Sequence, residues 1–586
     1  MWGGNRVKNS RRCVGVSALS LFGLLAAGCY GGLSAIDRRL ERVLGERSGA
    51  LDPFVEPPGR EFADAESYDE RDQADKTVET TNPRPEELTQ TLADPERDVA
   101  SRLDAYLLED VAPEDAGGIE RIDLTRALEI SQDSAREFLN AQETYILSAI
   151  RVLIERHLFN PRLFNQTTAT FAGDGTDGRF TAALTVLNEL GVRQRFERGG
   201  EVTASWLVEA TEDLREGATD RYRQSSSIVL SGTFPLLRGA GTVARESLVQ
   251  AERDLVYAAR DFERFRRTLL VSIASDYFGR LQQRGAVEDQ LRRIDALRQL
   301  VAETSAKIDA GSLRDFQRAI ASSDLLAAEA TLAGQRDSYR LSEDRFKVRL
   351  GLPVDQPVII VPVTLELPEP EISPSDAARR ALDFRLDLQV TRDEVLDARR
   401  GVANARNGLL PELDLNARSD LPTDPDVDEP YLAFSGEDIS YSAGATLDLP
   451  LDRVIEQLNL RSAIIAVERA IRGYEEDRDE VVVEARSAVR QIELSRFQLS
   501  LAEQQVEINR RRQRGQELDP ENVTTQERVD TQNALLSAEN ARDQAVADLR
   551  ISILDYLLST GQMRVENDGT LAPIGGIVVD DFDPGG

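Results

Sequence analysis

Two hydrophobic periods alternate along the chain. Over long runs, apolar residues recur at spacings of three and four, as in Ile464, Val467, Ile471 and Tyr474. This spacing is typical of helices that pack as left-handed coiled coils. Between these runs lie short stretches in which apolar and polar residues alternate, which is the pattern of β-strands. The sequence therefore predicts a mainly α fold in which long helix hairpins are joined by short strands.

The order of these elements occurs twice, in residues 121–370 and again in residues 371–563. Each half is predicted to begin with a helix, at residues 123–158 and 375–407, and to continue through strands into a long helix hairpin. The first long helix is expected from Arg245 to Ala310, about 100 Å at 1.5 Å per residue. A two-fold repeat of this length indicates a duplication rather than a solenoid.

The clearest strand pattern lies in the second half. From Ile439 to Leu449, apolar and polar residues alternate over eleven positions, which suits a tilted membrane strand with one face toward lipid. We predict about four strands per chain, with an extra hairpin or extended strands flanking Gly199 and Gly200. An edge hairpin of a soluble sandwich stays open as the alternative. The predicted lipid-facing residues are Ile439, Tyr441, Ala443, Ala445, Leu447 and Leu449.

If each chain contributes only about four membrane strands, one chain cannot form a barrel by itself. Four strands cannot close a barrel, because single-chain barrels begin at about eight strands. Open sheet edges are not tolerated in lipid. Several chains must therefore share one barrel, and the sequence predicts a ring oligomer. Without the strands, the same helices favour a plain coiled-coil rod.

The N-terminus has the pattern of a bacterial signal peptide. Four basic residues precede an apolar run over residues 14–27 that is too short to span a bilayer. The run ends in the sequence LAAGC, which resembles a lipobox and places Cys29 where the lipid is attached. We predict that residues 1–28 are removed and that Cys29 is acylated. The alternative is an ordinary cleavage site followed by an incidental cysteine.

An acidic segment separates the signal from the repeats. Residues 30–120 contain 24 Asp and Glu against 10 Lys and Arg, with several prolines and poor apolar periodicity. Such a segment buries too little surface to offset its chain entropy. We predict a disordered linker over residues 29–120, with a short helix possible at residues 99–108. Residues 564–586 are predicted to be a disordered tail.

Composition narrows the function classes. The net charge of −32 disfavours a nucleic-acid partner, because phosphate binding needs a basic surface. A single histidine, His157, and two cysteines, Cys13 and Cys29, leave no basis for a histidine-ligated metal site, a catalytic triad or a disulfide framework. We expect no enzyme activity, no metal and no cofactor.

The ordered set of features resembles the TolC-type outer membrane efflux protein family over roughly residues 120–563. The resemblance is carried by the duplicated halves, the sequence SGTFPLLRG at 231–239, the segments that end at Gly311 and Gly515, and the sequence LGLP at 350–353. It implies a homotrimer in which a twelve-stranded outer-membrane β-barrel continues as a twelve-helix α-barrel through the periplasm. Many family members are lipoproteins, which agrees with Cys29.

The resemblance also implies a function. We expect the outer-membrane channel of a tripartite efflux or type I secretion system. Such a channel is a passive duct that works with a periplasmic adaptor (membrane fusion) protein and an inner-membrane transporter. The expected location is the outer membrane, with a lipid anchor and a body that extends into the periplasm. The alternative is a lipid-anchored periplasmic coiled-coil scaffold without a pore.

The turns near Gly311 and Gly515 are predicted to form the periplasmic tip that contacts the adaptor. Glycine ends a helix in the left-handed conformation at low cost, so these residues are also consistent with hairpins that simply close. Two tip positions that commonly hold aromatic residues in the family hold Ile308 and Arg512 here. The predicted adaptor-contact residues are Ile308, Gly311, Ser312, Arg512, Gly515 and Gln516.

Acidic residues near these turns are candidates for a periplasmic gate, since the family often places acids after the second tip. The candidates are Asp315 after the first turn and Asp519 and Glu521 after the second. The alternative is that these carboxylates stabilise helix N-termini through the helix dipole.

Overall fold

The computed structural model describes residues 38–45, 103, 119–174, 181–213, 222–362, 373–424, 433–518, 523–565 and 571–573. Residues 1–83 and 84–586 are separate units. In the first unit, residues 38–45 are helical. All elements below belong to the second unit. The predicted signal peptide and Cys29, with most of the linker and of the tail, lie outside the described residues.

In the described part of the second unit, a set of four helices occurs twice. The helices of the first set have 11, 23, 64 and 35 residues, and those of the second have 11, 23, 65 and 35. These matching lengths agree with the predicted duplication. The first set is α1 (Leu124–Ser134), α2 (Arg136–Leu158), α3 (Glu246–Asp309) and α4 (Phe316–Leu350), and the second is α5 (Pro374–Phe384), α6 (Leu386–Gly408), α7 (Val454–Leu518) and α8 (Thr525–Ser559).

Each predicted leading helix is in fact two helices. Ala135 separates α1 from α2 and Arg385 separates α5 from α6, both with extended backbones at ψ 122° and 124°. Neither residue is glycine or proline, so the sequence pattern carries no break signal. The Arg385 guanidinium forms ion pairs with Asp387 and Glu484 at the second break. The prediction of single helices at residues 123–158 and 375–407 is therefore wrong at these two positions.

The long helices pack side by side in the order α4, α3, α8, α7. Nearer the strands, α2 packs on α3 and α6 packs on α7. The predicted span of α3, Arg245 to Ala310, agrees with the observed Glu246–Asp309 within one residue at each end. Leu103, in the predicted linker, is helical and buried against Val287 of α3 and Leu332 of α4. Of the described helices, none combines the length and the apolar content that a membrane span requires.

The described strands form one large sheet and two small ones. The large sheet has six antiparallel strands in the order β2–β3–β4–β5–β7–β8. In the small sheets, β1 pairs with β6 in parallel and β9 with β10 antiparallel. The strands are β1 (Glu120–Ile122), β2 (Arg162–Asp174), β3 (Thr181–Arg195), β4 (Glu201–Asp213), β5 (Tyr222–Pro235), β6 (Val358–Ile360), β7 (Glu412–Pro422), β8 (Ser440–Asp448), β9 (Met563–Val565) and β10 (Leu571–Pro573).

The expected number of about four strands in the large sheet is corrected to six. The additional pair is the β3–β4 hairpin, which turns at Gly199 and Gly200 with φ of 96° and 95°. The glycine pair in the sequence predicted either this hairpin or longer strands at this place. Polar residues such as Asn188 interrupt the apolar face of β3, which weakens the strand pattern in the sequence.

The main core lies where the ends of the helix hairpins meet the short helices. Tyr277, Phe346 and Tyr556 are fully or almost fully buried there. Gly351 and Gly561 end α4 and α8 with φ of 85° and 70°. These two glycines occupy equivalent positions in the two halves.

Candidate functional site

The hydrogen-bonded register shows which strand residues share a face of the large sheet. One face holds the odd-numbered residues of β2, β7 and β8 and the even-numbered residues of β3, β4 and β5. We call this the Tyr441 face. One line of paired residues across it consists of Tyr441, Ser419, Leu230, Ala204, Val192 and Leu163.

Apolar residues predominate on the Tyr441 face in all six strands. Within these strands Glu212 is its only charged residue, whereas the opposite face carries charges on every strand. Of the residues predicted to face lipid, Tyr441, Ala443, Ala445 and Leu447 lie on it, whereas Ile439 and Leu449 lie one residue beyond the two ends of β8. Tyr441 is 86% exposed. Their contact with lipid stays a prediction. Charged residues of the opposite face are Arg162, Glu189, Arg193, Arg195, Glu201, Glu209, Arg223, Glu412, Asp414, Arg418, Asp420 and Asp448.

Several polar groups on the Tyr441 face are paired with one another. The Asn188 side-chain amide donates to Asn165 Oδ1 at 2.9 Å and to Thr167 Oγ1 at 2.7 Å. The Trp206 indole N–H donates to Ser226 Oγ at 2.6 Å. An unpaired polar group in hydrocarbon costs several kcal/mol. These bonds therefore make the face compatible with a lipid environment.

The strands are staggered along the sheet. Leu163 of β2 and Tyr441 of β8 lie on the same line of paired residues across the sheet. The middle of β2, at Thr168, lies five residues from this line toward one end of the sheet. The middle of β8, at Gly444, lies three residues from the line toward the opposite end. This eight-residue shift is about 26 Å along the strands, across five gaps that total about 24 Å. The resulting tilt of about 45° matches the tilt of membrane barrels.

The tip lies at the other end of the long helices, and its first turn closes at Gly311 as expected, whereas its contact with an adaptor stays a prediction. Gly311 follows the end of α3 with φ of 78°. Its N–H donates to the Ile308 carbonyl at 2.8 Å, and the Ser312 N–H donates to the Lys307 carbonyl at 2.8 Å. This is the Schellman arrangement that glycine favours. Ile308, Gly311 and Ser312 thus form the end of the first hairpin.

The second turn differs from the prediction. Gly515 does not interrupt the helix, because α7 continues to Leu518. Arg512, Gly515 and Gln516 lie in its last two turns. The Gln516 amide donates to Thr531 Oγ1 of α8 at 2.8 Å, a tertiary contact that holds the two helices together beyond the glycine. An exposed glycine in a helix costs about 1 kcal/mol relative to alanine and does not by itself end the helix.

The gate candidates are only partly described. Asp519 and Glu521 lie outside the described residues. Asp315 precedes α4, forms no capping hydrogen bond, and lies 3.8 Å from the Arg318 guanidinium. A gate role for these three acids stays a prediction.

Two features of the tip were missed in the sequence. Thr524 and Glu527 form a capping box at the start of α8, and the hydrogen bond from the Thr524 N–H lowers the pKa of Glu527. The spacing Thr-x-x-Glu was the available signal. The second feature is the ion pair between Arg528 of α8 and Glu303 of α3 at 3.0 Å. No short-range pattern reveals a pair 225 residues apart.

Among the described residues, no group of three or more His, Cys, Asp or Glu side chains is placed to hold a metal ion.

The sequence model of outer membrane efflux proteins matches residues 377–553, which lie in the second repeat. No relative among curated proteins matches the chain. The fold is similar to that of the outer membrane channel CmeC of Campylobacter jejuni, with a TM-score of 0.58 and 13% identity over 75% of this chain and 85% of that chain.

Two further solved structures show the same similarity. The outer membrane protein VceC of Vibrio cholerae has a TM-score of 0.54 and 16% identity over 75% of this chain and 96% of that chain. The open state of the Neisseria gonorrhoeae outer membrane channel MtrE has a TM-score of 0.55 and 15% identity over 75% and 88%. The fold is therefore that of outer membrane channels. Together with the family match, it confirms the resemblance to TolC-type outer membrane efflux proteins.

Proposed function

We propose that the protein is the outer-membrane channel of a tripartite efflux or type I secretion system. The observation that carries this proposal is the six-stranded sheet, whose Tyr441 face is apolar while the opposite face is charged. The sheet continues into paired helices about 95 Å long at 1.5 Å per residue, enough to reach deep into the periplasm. The channel is a passive duct, and the inner-membrane transporter supplies the energy.

The free edges of the chain support a ring. In the described residues, β2 and β8 are each paired on one side only. On the β8 side, α7 exposes Phe497 and Ile508, and on the other side α4 exposes Leu326 and Leu341. The two edges of the chain are different surfaces, so neighbouring copies meet head to tail. Contacts of this kind generate a closed ring when the rotation between copies closes. The resemblance gives three copies.

The alternative is a periplasmic coiled-coil scaffold without a pore. It accounts for the helices but gives no role to an apolar sheet face with internally paired polar groups. Purified protein in planar bilayers separates the two functions. A channel forms detergent-stable trimers and conducts ions, whereas trimers or rods that never conduct would contradict the proposal.

The lipid anchor is a separate element of the proposal. Its support is the LAAGC sequence that ends at Cys29. Cells that express Cys29→Ala should incorporate no clickable fatty acid into the protein, while trimers still form through the strands. Undiminished labelling of the variant would refute acylation at Cys29.

The partners are proposed to be a periplasmic adaptor and an inner-membrane transporter that contact the tip. A photo-crosslinker at Ser312 should capture the adaptor, because this residue follows the Gly311 turn and is exposed. The matched control is the same crosslinker at Leu421 in β7, which lies in the sheet and not at the helix tip. Capture at Leu421 and none at Ser312 would reverse the proposed orientation.

A further inference from the structure

We propose that all six strands of the large sheet cross the outer membrane, so that three chains close an eighteen-stranded barrel and not a twelve-stranded one. The extra strands are β3 and β4. This inference rests on the proposed function for the membrane and for the three copies. Beyond that function, it implies that the channel has a wider exit and can therefore export bulkier molecules.

The inserted hairpin is a continuous part of the sheet. β3 pairs with β2 and β4 pairs with β5, each over at least twelve consecutive positions. β3 has 15 residues and β4 has 13, and a tilted membrane strand needs about 9–11. Both strands are therefore long enough to cross the hydrocarbon core beside their neighbours.

The faces of the hairpin match those of the strands around it. On the Tyr441 face it presents Leu184, Val186, Leu190, Val192, Val202 and Ala204. On the opposite face it presents Glu189, Arg193 and Glu209. A hairpin that projected into water would have no reason to keep its apolar face in line with that of β2 and β5.

Hydrogen bonds join the inserted strands to both neighbours on the Tyr441 face. Asn188 of β3 donates to Asn165 of β2, and Trp206 of β4 donates to Ser226 of β5. In water these groups have solvent as a partner, whereas in lipid they must pair within the sheet. The bonds cross the two seams at which the hairpin is inserted.

The width of the barrel follows from strand number. At a spacing of about 4.8 Å and a tilt of about 45°, eighteen strands give a backbone radius of about 19 Å, and twelve give about 13 Å. A ring of twelve helices spaced about 9.5 Å apart has a radius of about 18 Å. Eighteen strands thus continue the helical tube without narrowing. The exit would admit solutes, including compact polypeptides, that a twelve-stranded barrel excludes.

Electron cryo-microscopy of the purified assembly tests the strand number directly. We expect three chains and eighteen strands. Twelve strands, with β3 and β4 outside the membrane, would overturn the inference and leave the proposed channel function intact. An assembly that neither spans a bilayer nor conducts would instead refute the proposed function.

A deletion tests the width. Removal of residues 175–221 joins the end of β2 to the start of β5, which lie at the same end of the sheet. The largest polyethylene glycol that lowers conductance from the extracellular side should fall about 1.5-fold in hydrodynamic radius. An unchanged limit would contradict the inference.

If the deletion variant does not assemble, cysteine labelling of the full chain still tests whether the β3–β4 hairpin lies in the membrane. In Cys29→Ala chains, Leu190→Cys should react with a lipid-soluble maleimide only. The adjacent Glu189→Cys should react with a water-soluble one. Equal labelling of both by the water-soluble reagent would place the hairpin outside the membrane.

Discussion

The Arg528 guanidinium lies 3.0 Å from the Glu303 carboxylate and joins the two helix hairpins close to their turns. Glu303 lies in α3, six residues before its end, and Arg528 lies in the first turn of α8. The same carboxylate accepts a hydrogen bond from Lys307 at 2.6 Å. The ion pair therefore links α3 to α8, and an opening of the tip that separated these two helices would have to break it.

Arg528→Gln should increase the open fraction of the channel. Partly exposed ion pairs contribute about 0.2–1 kcal/mol, so the equilibrium between open and closed tips should shift at most about five-fold. Single-channel recording measures the open fraction. Arg511→Gln is the control, since Arg511 pairs with Glu507 on the same helix and links no hairpins. Equal effects of both variants would argue against a link at Glu303.

Opening should also depend on pH. The hydrogen bond from Lys307, assisted by the charge of Arg528 and opposed by burial, lowers the pKa of Glu303. Lys307 lies on the same helix as Glu303, so only the part of this lowering that comes from Arg528 differs between closed and open tips. That part stabilises the closed state at pH values above the ordinary pKa of 4.5, and it is lost as pH falls through the lowered pKa.

The open fraction should therefore rise as pH falls below about 4.5. In Arg528→Gln the ion pair that links the two hairpins is absent, so the dependence of the open fraction on pH should flatten. In Glu303→Gln the dependence should flatten. Single-channel recordings above and below pH 4.5 check the unmodified protein and the two variants. An open fraction of the unmodified protein that grows with rising pH would contradict a stabilising role of Glu303 in the closed state.

Much of the fold was predictable because its signals are local. The ends of α3 follow from apolar spacing and from Gly311, and both agree with the structure within one residue. The break at Arg385 was not predictable, because the apolar spacing continues across it. What holds the break is a pair with Glu484, 99 residues away.

The site was less predictable for the same physical reason. At Gly515 the helix persists because Gln516 forms a hydrogen bond with Thr531 on the next helix. Helix propensities describe single residues and do not include such contacts between helices. In β3, Asn188 breaks the apolar alternation, and its partners Asn165 and Thr167 lie on another strand. Single-strand patterns cannot show that a polar residue on a lipid-facing position is paired.

The two faces of β8 should tolerate charge very differently. Ala443→Arg places a guanidinium on the Tyr441 face and should cost about 2–4 kcal/mol if Ala443 lies near the midplane of the membrane. Ser442→Arg places the same group on the charged face, where water can solvate it. Its paired residue Arg418 already forms an ion pair with Asp420, so the substitution should be tolerated. The yield of trimers in the outer membrane measures both. Equal yields would refute the membrane assignment of β8.

The glycines at the hairpin ends should differ in their tolerance of a side chain. Gly311 and Gly351 both have left-handed backbones, with φ of 78° and 85°. A Cβ at Gly311 meets no atom within 4 Å, whereas a Cβ at Gly351 would lie 2.0 Å from the Ser134 carbonyl oxygen. Gly311→Ala should therefore cost only the backbone strain of about 1–2 kcal/mol.

Gly351→Ala must in addition separate α4 from the end of α1, so we expect a loss above about 4 kcal/mol. Gly561→Ala should fall between the two, because its Cβ would lie 2.8 Å from the backbone carbon of Phe384. Rates of thermal inactivation of the purified assembly give the order, since membrane oligomers unfold irreversibly. If Gly311→Ala inactivated as fast as Gly351→Ala, backbone strain alone would explain both, and the close contact with Ser134 would play no part.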